Sequence, residues 1–293
     1  MNFNLLFQHI LTGISLGGAY ALIAVGYTMV YGILRLINFA HGDIFMISGY
    51  FMISYYGIFP LPIAILLTLL TTTLLGIYIE RVAYKPLRNS PKMSVMISAI
   101  GVSYLIQNFS TYLFTAIPKA YPEIPGLKTS IKFGEISTTL VTILTPIITI
   151  VLVLFLMWLI ENTKIGMAMR AVSKDYEASS LMGIKINKTI SITFAIGSVL
   201  AAVGSILYFT DRPSVNPFSG SLPGLKCFVA AVFGGIGSIP GAVIGGFFIG
   251  MCETILIANG QSTFSDAFTF VVLILMLLFK PTGLFGEKNI DKV

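Results

Sequence analysis

Charged residues are scarce in this sequence. Only 10% of its 293 residues are Asp, Glu, Lys or Arg, and 56% are hydrophobic, whereas about a quarter of the residues in a soluble domain are charged. Because so few charges cannot cover the surface of a water-soluble protein, the side chains of this chain must face lipid. In lipid, backbone polar groups are paired within helices or a closed barrel. The short alternating segments of a barrel are missing, and long apolar runs such as 138–160 and 264–279 predict an all-α integral membrane protein.

Cysteine and histidine are also rare, at two residues each. Cys227 and Cys252 lie in apolar stretches, which is typical of small buried side chains rather than of a disulfide, a metal site or a nucleophile. With only His9 and His41, the sequence predicts no zinc site, and we expect no other metal or cofactor.

Motifs for nucleotide binding and for catalysis are missing as well. The dipeptide Gly-Lys, which a P-loop requires, does not occur, so the chain cannot bind ATP in that way. The glycines of 235–241 do not have the spacing of a dinucleotide fingerprint. No Ser/His or Asp/Asp pair is evident, and we therefore do not expect an enzyme.

Segments of about 20 apolar residues are long enough to cross a bilayer. They predict about eight or nine transmembrane helices. The candidate spans are 5–33, 44–59, 60–79, 93–116, 138–160, 189–209, 225–237 with 241–258, and 263–279. The segment 117–137 is expected to be a surface loop.

Glycines mark two features of these spans. Gly234, Gly235, Gly237, Pro240 and Gly241 interrupt the pair near residue 240, which predicts a tight hairpin of two spans or a re-entrant pair buried in protein. GxxxG spacings predict close helix packing, since small residues let backbones approach in lipid. These pairs are Gly13–Gly17, Gly241–Gly245 and Gly246–Gly250.

Lys and Arg fall unevenly on the two sides of the predicted bundle. One side receives Arg35, the loops 80–92 and 161–190, and the tail with Lys280, Lys288 and Lys292. The other receives Lys119, Lys128, Lys132, Arg212 and Lys226. Because cytoplasmic loops are enriched in Lys and Arg, we expect the N-terminus outside and the C-terminus in the cytoplasm. The net charge of +6 then reflects topology rather than a nucleic-acid partner.

The loop 161–188 is too polar to span a membrane but is rich in helix-forming residues. Its apolar residues Met169, Val172, Tyr176 and Leu181 recur at loosely helical spacing. An amphipathic helix on the cytoplasmic face suits a docking surface for another protein, or a solvated helix with no partner. The residues alone leave both open.

A short motif in this loop resembles a known one. Glu177-Ala178-Ser179, followed by Gly183, resembles the EAA loop of ABC importer permeases, with Ser179 in place of the second alanine and without the later Leu-Pro. The resemblance implies a coupling helix that sits in a cleft of an ATPase subunit. The coupling residues would be Arg170, Glu177, Ala178, Ser179 and Gly183.

Longer stretches are similar to the bacterial branched-chain amino acid permease family, and most to its leucine/isoleucine/valine subunits of the H type. They are 13–32, 37–43, 234–246 and 279–286. The resemblance implies a single permease domain over 1–293, in the bacterial inner membrane, that moves branched-chain or other hydrophobic amino acids. Its implied partners are two cytosolic ATP-binding subunits, a second related permease subunit and an extracytoplasmic binding protein.

Two alternatives to this function remain. Urea and short-chain amide permeases have similar sequences. An ion-coupled secondary transporter would keep acids or a broken helix at the midplane, and the break near residue 240 and Glu253 are compatible with that.

Ionisable or polar residues in membrane segments are candidates for a translocation pathway because they are costly in lipid. Asn38, His41 and Asp43 lie where the second span begins. Asp43 could cap a helix starting at Ile44 or act in gating. Glu253 could line the pathway, reach an interface or meet a partner across a subunit boundary. Asp266 is interpreted as a helix-start residue.

Overall fold

The computed structural model describes residues 3–88, 90–133 and 136–286, and this part of the chain is predominantly helical. The helices are α1 (Phe3–Leu34), α2 (His41–Tyr56), α3 (Leu61–Ile79), α4 (Lys92–Phe114), α5 (Leu140–Asn162), α6 (Lys164–Lys174), α7 (Tyr176–Leu181), α8 (Ile186–Asp211), α9 (Ser221–Gly234), α10 (Ile239–Ala258) and α11 (Ser262–Phe279). The predicted all-α membrane fold is confirmed.

Helix length separates two groups of apolar helices in the described ranges. Seven are long and apolar enough to cross a bilayer, namely α1, α3, α4, α5, α8, α10 and α11. The other two, α2 and α9, have 16 and 14 residues. At 1.5 Å per residue they are shorter than the roughly 30 Å of a hydrocarbon core.

Four short strands lie together at one end of the bundle. They are β1 (Lys119–Ala120), β2 (Ser130–Phe133), β3 (Ile136–Thr139) and β4 (Ser214–Val215). β2 and β3 form an antiparallel hairpin, and β1 pairs antiparallel with β4. The segment predicted as a plain surface loop is therefore partly ordered by strand pairing. We call this end the hairpin end and the opposite end the α6–α7 end.

Helix α1 is the centre of the bundle, where it packs against α5, α8, α9 and α10. Its closest neighbour is α10. A Cβ built on Gly17 would lie 2.6 Å from Cα of Phe247, and one on Gly246 would lie 2.5 Å from Cα of Ala21. Residues larger than glycine would force the two backbones apart. The packing predicted from these GxxxG pairs is confirmed.

The interruption near residue 240 is a tight turn between the antiparallel helices α9 and α10. Gly235 and Gly237 have φ angles of 109° and 102°, a region that favours glycine. The segment 280–286 folds back onto this turn, where Leu284 N–H donates to Phe233 C=O at 3.0 Å and Phe285 N–H donates to Gly234 C=O at 2.9 Å. The last carbonyl groups of α9 are thus satisfied by the chain's own C-terminal segment.

Most of the expected charge distribution is present in the fold. Tyr176 of α7 contacts Ile33 near Arg35, and Arg88 contacts Asn187 just after α7, so these basic loops share the α6–α7 end. Lys226, counted with the cations of the hairpin side, is buried in the second turn of α9. Lys288, Lys292 and the side chain of Lys132 lie outside the described residues.

Candidate functional sites

The loop 161–188 forms two short helices with defined ends. Thr163 Oγ accepts a hydrogen bond from Gly166 N–H at 3.1 Å, and an oxygen of Asp175 accepts one from Ala178 N–H at 3.0 Å, so each helix has an N-cap. Gly183, with φ of 82°, follows α7 and allows the chain to turn into α8. The glycine of the motif is therefore required by backbone conformation.

The apolar residues of this element divide between two surroundings. Met169 and Val172 are buried against the bundle, whereas Leu181 and Met182 are 88% and 84% exposed at the tip of α7. The Tyr176 hydroxyl donates to the Ile33 carbonyl of α1. Burial raises the pKa of Tyr176, so its hydroxyl remains a donor at neutral pH. The element is thus anchored to α1 while its tip is left uncovered.

The coupling residues expected from the motif do not all have the same exposure. Glu177, Ala178 and Gly183 are exposed. Arg170 is also exposed and donates to the Glu161 carbonyl at 3.2 Å. Ser179 is buried, so a small side chain at this position lets α7 lie close to the bundle.

The short apolar helices α2 and α9 begin next to each other inside the bundle. Gly42, in the first turn of α2, contacts Gly220 and Gly224 at the start of α9. His41 packs edge-to-face on Tyr27 at 4.7 Å between ring centroids and lies against Gly26. Gly26 is about 12 Å from the end of α1 at 1.5 Å per residue. The segments leading into α2 and α9 thus enter the bundle from opposite ends as non-helical backbone.

Asp43 does not cap a helix that begins at Ile44, and that alternative was wrong. The helix begins at His41, its N-cap is Ala40, and no side chain caps it. The buried Asp43 carboxylate instead accepts a hydrogen bond from Gln107 Nε2 of α4 at 2.9 Å. The same amide nitrogen lies 3.3 Å from Ser221 Oγ, so this cluster joins α2, α4 and the start of α9.

Asn38 belongs to a second buried polar cluster at the α6–α7 end. Its Oδ1 accepts a hydrogen bond from the Tyr84 hydroxyl at 2.7 Å. Tyr84 ends a π-helical turn, Glu80–Tyr84, that extends α3. Glu80 is buried, forms an ion pair with Arg88 and accepts from Ser191 Oγ of α8 at 2.6 Å. Helix α8 begins just after α7, so these contacts connect the α6–α7 element with the segment before α2.

Glu253 of α10 lies in a third cluster, within the helices. The Tyr20 hydroxyl donates to Glu253 Oε2 at 3.0 Å, and Lys226 Nζ lies 2.9 Å from the same oxygen. Arg212 lies 3.8 Å from Oε1, and Lys226 is also paired with Asp266 at 2.6 Å. Asp266 is in the second turn of α11, so its interpretation as a helix-start residue was wrong.

Several residues of these clusters were missed from sequence alone. Lys226 interrupts an apolar run, a signal that marks functional or paired charges in membrane segments and could have found it. Glu80 stands beside Arg81 at the end of an apolar run, where the sequence does not set it apart. Tyr20, Tyr84 and Gln107 give no such signal, because single polar or aromatic residues are common in apolar helices. All four expected pathway residues, Asn38, His41, Asp43 and Glu253, are buried.

Residues 9–278 match the family model described as branched-chain amino acid transport system / permease component. The chain belongs to this permease family. The permease is 40% identical to the high-affinity branched-chain amino acid transport system permease protein BraD of Pseudomonas aeruginosa, covering 98% of this chain and 97% of the relative. It is 38% identical to LivH of Escherichia coli over 98% and 97% of the two chains.

A more distant relative is the probable branched-chain amino acid transport permease protein LivH of Methanocaldococcus jannaschii, at 26% identity over 90% of this chain and 88% of the relative. No solved structure matches the permease. The family is one of transport permeases, and together with the apolar helices it identifies a multi-pass inner-membrane protein.

Proposed function

We propose that this permease is a membrane subunit of an ABC importer that moves branched-chain amino acids into the cell. The α6–α7 element is the observation that carries the proposal, because it is a pair of capped helices with an uncovered tip and is too polar to span the membrane. The named relatives favour branched-chain amino acids over urea and short-chain amides as substrates. Under this proposal residues 1–293 form a single permease domain.

The α6–α7 element transmits the state of the partner ATPase to the permease. Leu181 and Met182 supply an apolar tip for a cleft in the ATPase, and Arg170 and Glu177 supply charges beside it. Tyr176 ties the element to α1. Since ATP favours one conformation of its subunit, differential binding across this surface shifts the permease between its states.

The proposal includes three further kinds of partner: ATP-binding subunits, a second permease subunit and a substrate-binding protein. The described residues contain no P-loop, so two cytosolic ATP-binding subunits supply the energy. Asp266 is exposed on a helix of the bundle, where facing lipid would be costly. A second, related permease subunit that faces Asp266 across the pathway completes it, and an extracytoplasmic binding protein delivers the substrate at the hairpin end.

Transport by the reconstituted complex tests this function. The permease, its partner permease and the ATPases are placed in liposomes with the binding protein outside. We expect ATP-dependent uptake of labelled leucine, isoleucine and valine, and little uptake of urea or acetamide. Uptake of urea or acetamide in preference to the amino acids would contradict the substrate, and uptake driven by an ion gradient without ATP would contradict the mechanism.

A further inference from the structure

Four charged side chains, two of each sign, meet near the hairpin end of the permease. They are Arg212, Lys226, Glu253 and Asp266, with N–O distances between 2.6 and 3.8 Å. Lys226 and Glu253 are buried. Removing paired charges from water is costly and is often not repaid in stability. Lys226, Glu253 and Asp266 lie within the apolar helices α9, α10 and α11, and charges in such helices point to a functional role.

The pair Lys226–Asp266 is the accessible part of this cluster. The side chain of Asp266 is 44% exposed, whereas that of Lys226 is 6% exposed. Asp266 lies on a helix that is otherwise largely apolar, and charged side chains in membrane segments face water-filled passages or protein rather than lipid. A ligand on that face would reach the carboxylate first and the ammonium group behind it.

Glu253 is arranged so that Lys226 can change partners. Besides Lys226, it has the Tyr20 hydroxyl at 3.0 Å and the Arg212 guanidinium at 3.8 Å. If Lys226 turns toward a new anion, Glu253 keeps a hydrogen-bond donor and a cation. No buried charge is then left without a partner, which avoids the largest energetic penalty of opening an ion pair.

We infer that Lys226 and Asp266 form a binding site for the zwitterionic head of an α-amino acid. The substrate's carboxylate pairs with Lys226 and its ammonium group pairs with Asp266, so one internal ion pair is exchanged for two. This assignment rests on the proposed function, because urea and amides have no charges to exchange. Leu222, one turn before Lys226 and 51% exposed, offers apolar surface to the substrate's side chain.

Competition binding tests the assignment. Labelled leucine is bound to the complete transporter in nanodiscs without the binding protein, and competed with leucine, leucinamide or 4-methylpentanoate. Leucinamide lacks the carboxylate, and 4-methylpentanoate lacks the ammonium group. For the wild type we expect leucine to compete at least about tenfold better than either analogue, since each lost ion pair in a desolvated site weakens binding by that order.

Removing either charge should weaken the preference for leucine over one of the two analogues. In Asp266→Asn the preference for leucine over 4-methylpentanoate should fall toward unity, and in Lys226→Met the preference over leucinamide should fall. Asp266→Glu should keep both preferences. A pair with a structural role alone would change the affinity of all three ligands equally or not at all, and that result would overturn the assignment.

Control measurements separate this assignment from the proposed function. Glu123→Gln removes a carboxylate from an exposed ion pair at the hairpin end and should keep wild-type preferences. Leucine uptake by the wild type together with wild-type preferences in both variants would refute only the head-group site. Leucine uptake without leucine binding by the complex would refute it too. Failure of the wild type to take up any of the three amino acids would instead refute the proposed function.

Discussion

Glu80 is the most enclosed carboxylate at the α6–α7 end of the permease. It is paired with Arg88, eight residues further along the chain, and accepts a hydrogen bond from Ser191 of α8, 111 positions away. Glu80→Gln would leave the Arg88 guanidinium without its anion, and breaking a buried pair costs about 3 kcal/mol. We expect a lower melting temperature for the purified permease, measured in detergent by tryptophan fluorescence or a thiol-reactive dye.

Glu123→Gln is the matched control for this change. Glu123 is paired with Lys128 at 2.6 Å on the surface, and the ion pair lowers the pKa of the Glu123 carboxyl. Exposed pairs contribute little to stability, so its melting temperature should match the wild type. Equal melting temperatures for all three proteins would show that the Glu80 pair does not stabilise the fold.

Single residues also show which contacts cannot be predicted from sequence. Glu253 was recognisable as a charge within an apolar stretch, but its donor Tyr20 is 233 positions away, and no local pattern encodes such a contact. Lys226 was counted only as a basic residue of the hairpin side, because its carboxylate partners Glu253 and Asp266 lie on other helices. Charge inside a span can be read from sequence, whereas the partner of that charge requires the packed structure.

At the scale of elements, the α6–α7 unit has the most specific prediction. Glu177→Ala removes an exposed charge of the docking surface, and Gly183→Val places a β-branched residue at a φ of 82°, which costs about 1–2 kcal/mol. We expect both to reduce substrate-stimulated ATPase activity of the complex while the protein still reaches the membrane.

Gly126→Val provides a control for backbone strain. Gly126 has φ of 87° with open space around it, as Gly183 has, but it lies in the loop at the other end. The Gly126→Val substitution should therefore impose a similar backbone strain and leave the substrate-stimulated ATPase activity unchanged. Normal substrate-stimulated ATPase activity in both Glu177→Ala and Gly183→Val would show that the α6–α7 element does not take part in coupling.

Elements were predicted well where hydropathy defines them. The long helices begin and end within a few residues of the predicted spans, because about 20 apolar residues have few alternatives to a helix in lipid. The strand pairings β1–β4 and β2–β3 were not foreseen, since two to four residues are too few for a period to be recognised. The early start of α2 was missed because His41 and Asp43 look like loop residues until their buried partners are known.

The orientation of the bundle in the membrane is a property of the whole molecule. The proposed orientation places the α6–α7 end in the cytoplasm, in agreement with the enrichment of basic residues there. In a background in which Cys227 and Cys252 are replaced by alanine, Leu181→Cys introduces an exposed thiol at one end and Lys128→Cys a half-exposed thiol at the other. An impermeant maleimide should label position 128 on intact cells and position 181 only after the cells are lysed. Labelling of 181 on intact cells would reverse the orientation.

The central position of α1 also has a consequence for biogenesis. Helix α1 is made before α10, against which Gly17 packs, and on the order of 200 residues separate the two. At common translation rates that delay is on the order of 10 s or more. During this interval the nascent helix remains in lipid with its small-residue face uncovered. The packing of α1 is therefore completed only after α10 has been made, so a ribosome that stalls before α10 leaves this face of α1 exposed to membrane quality control.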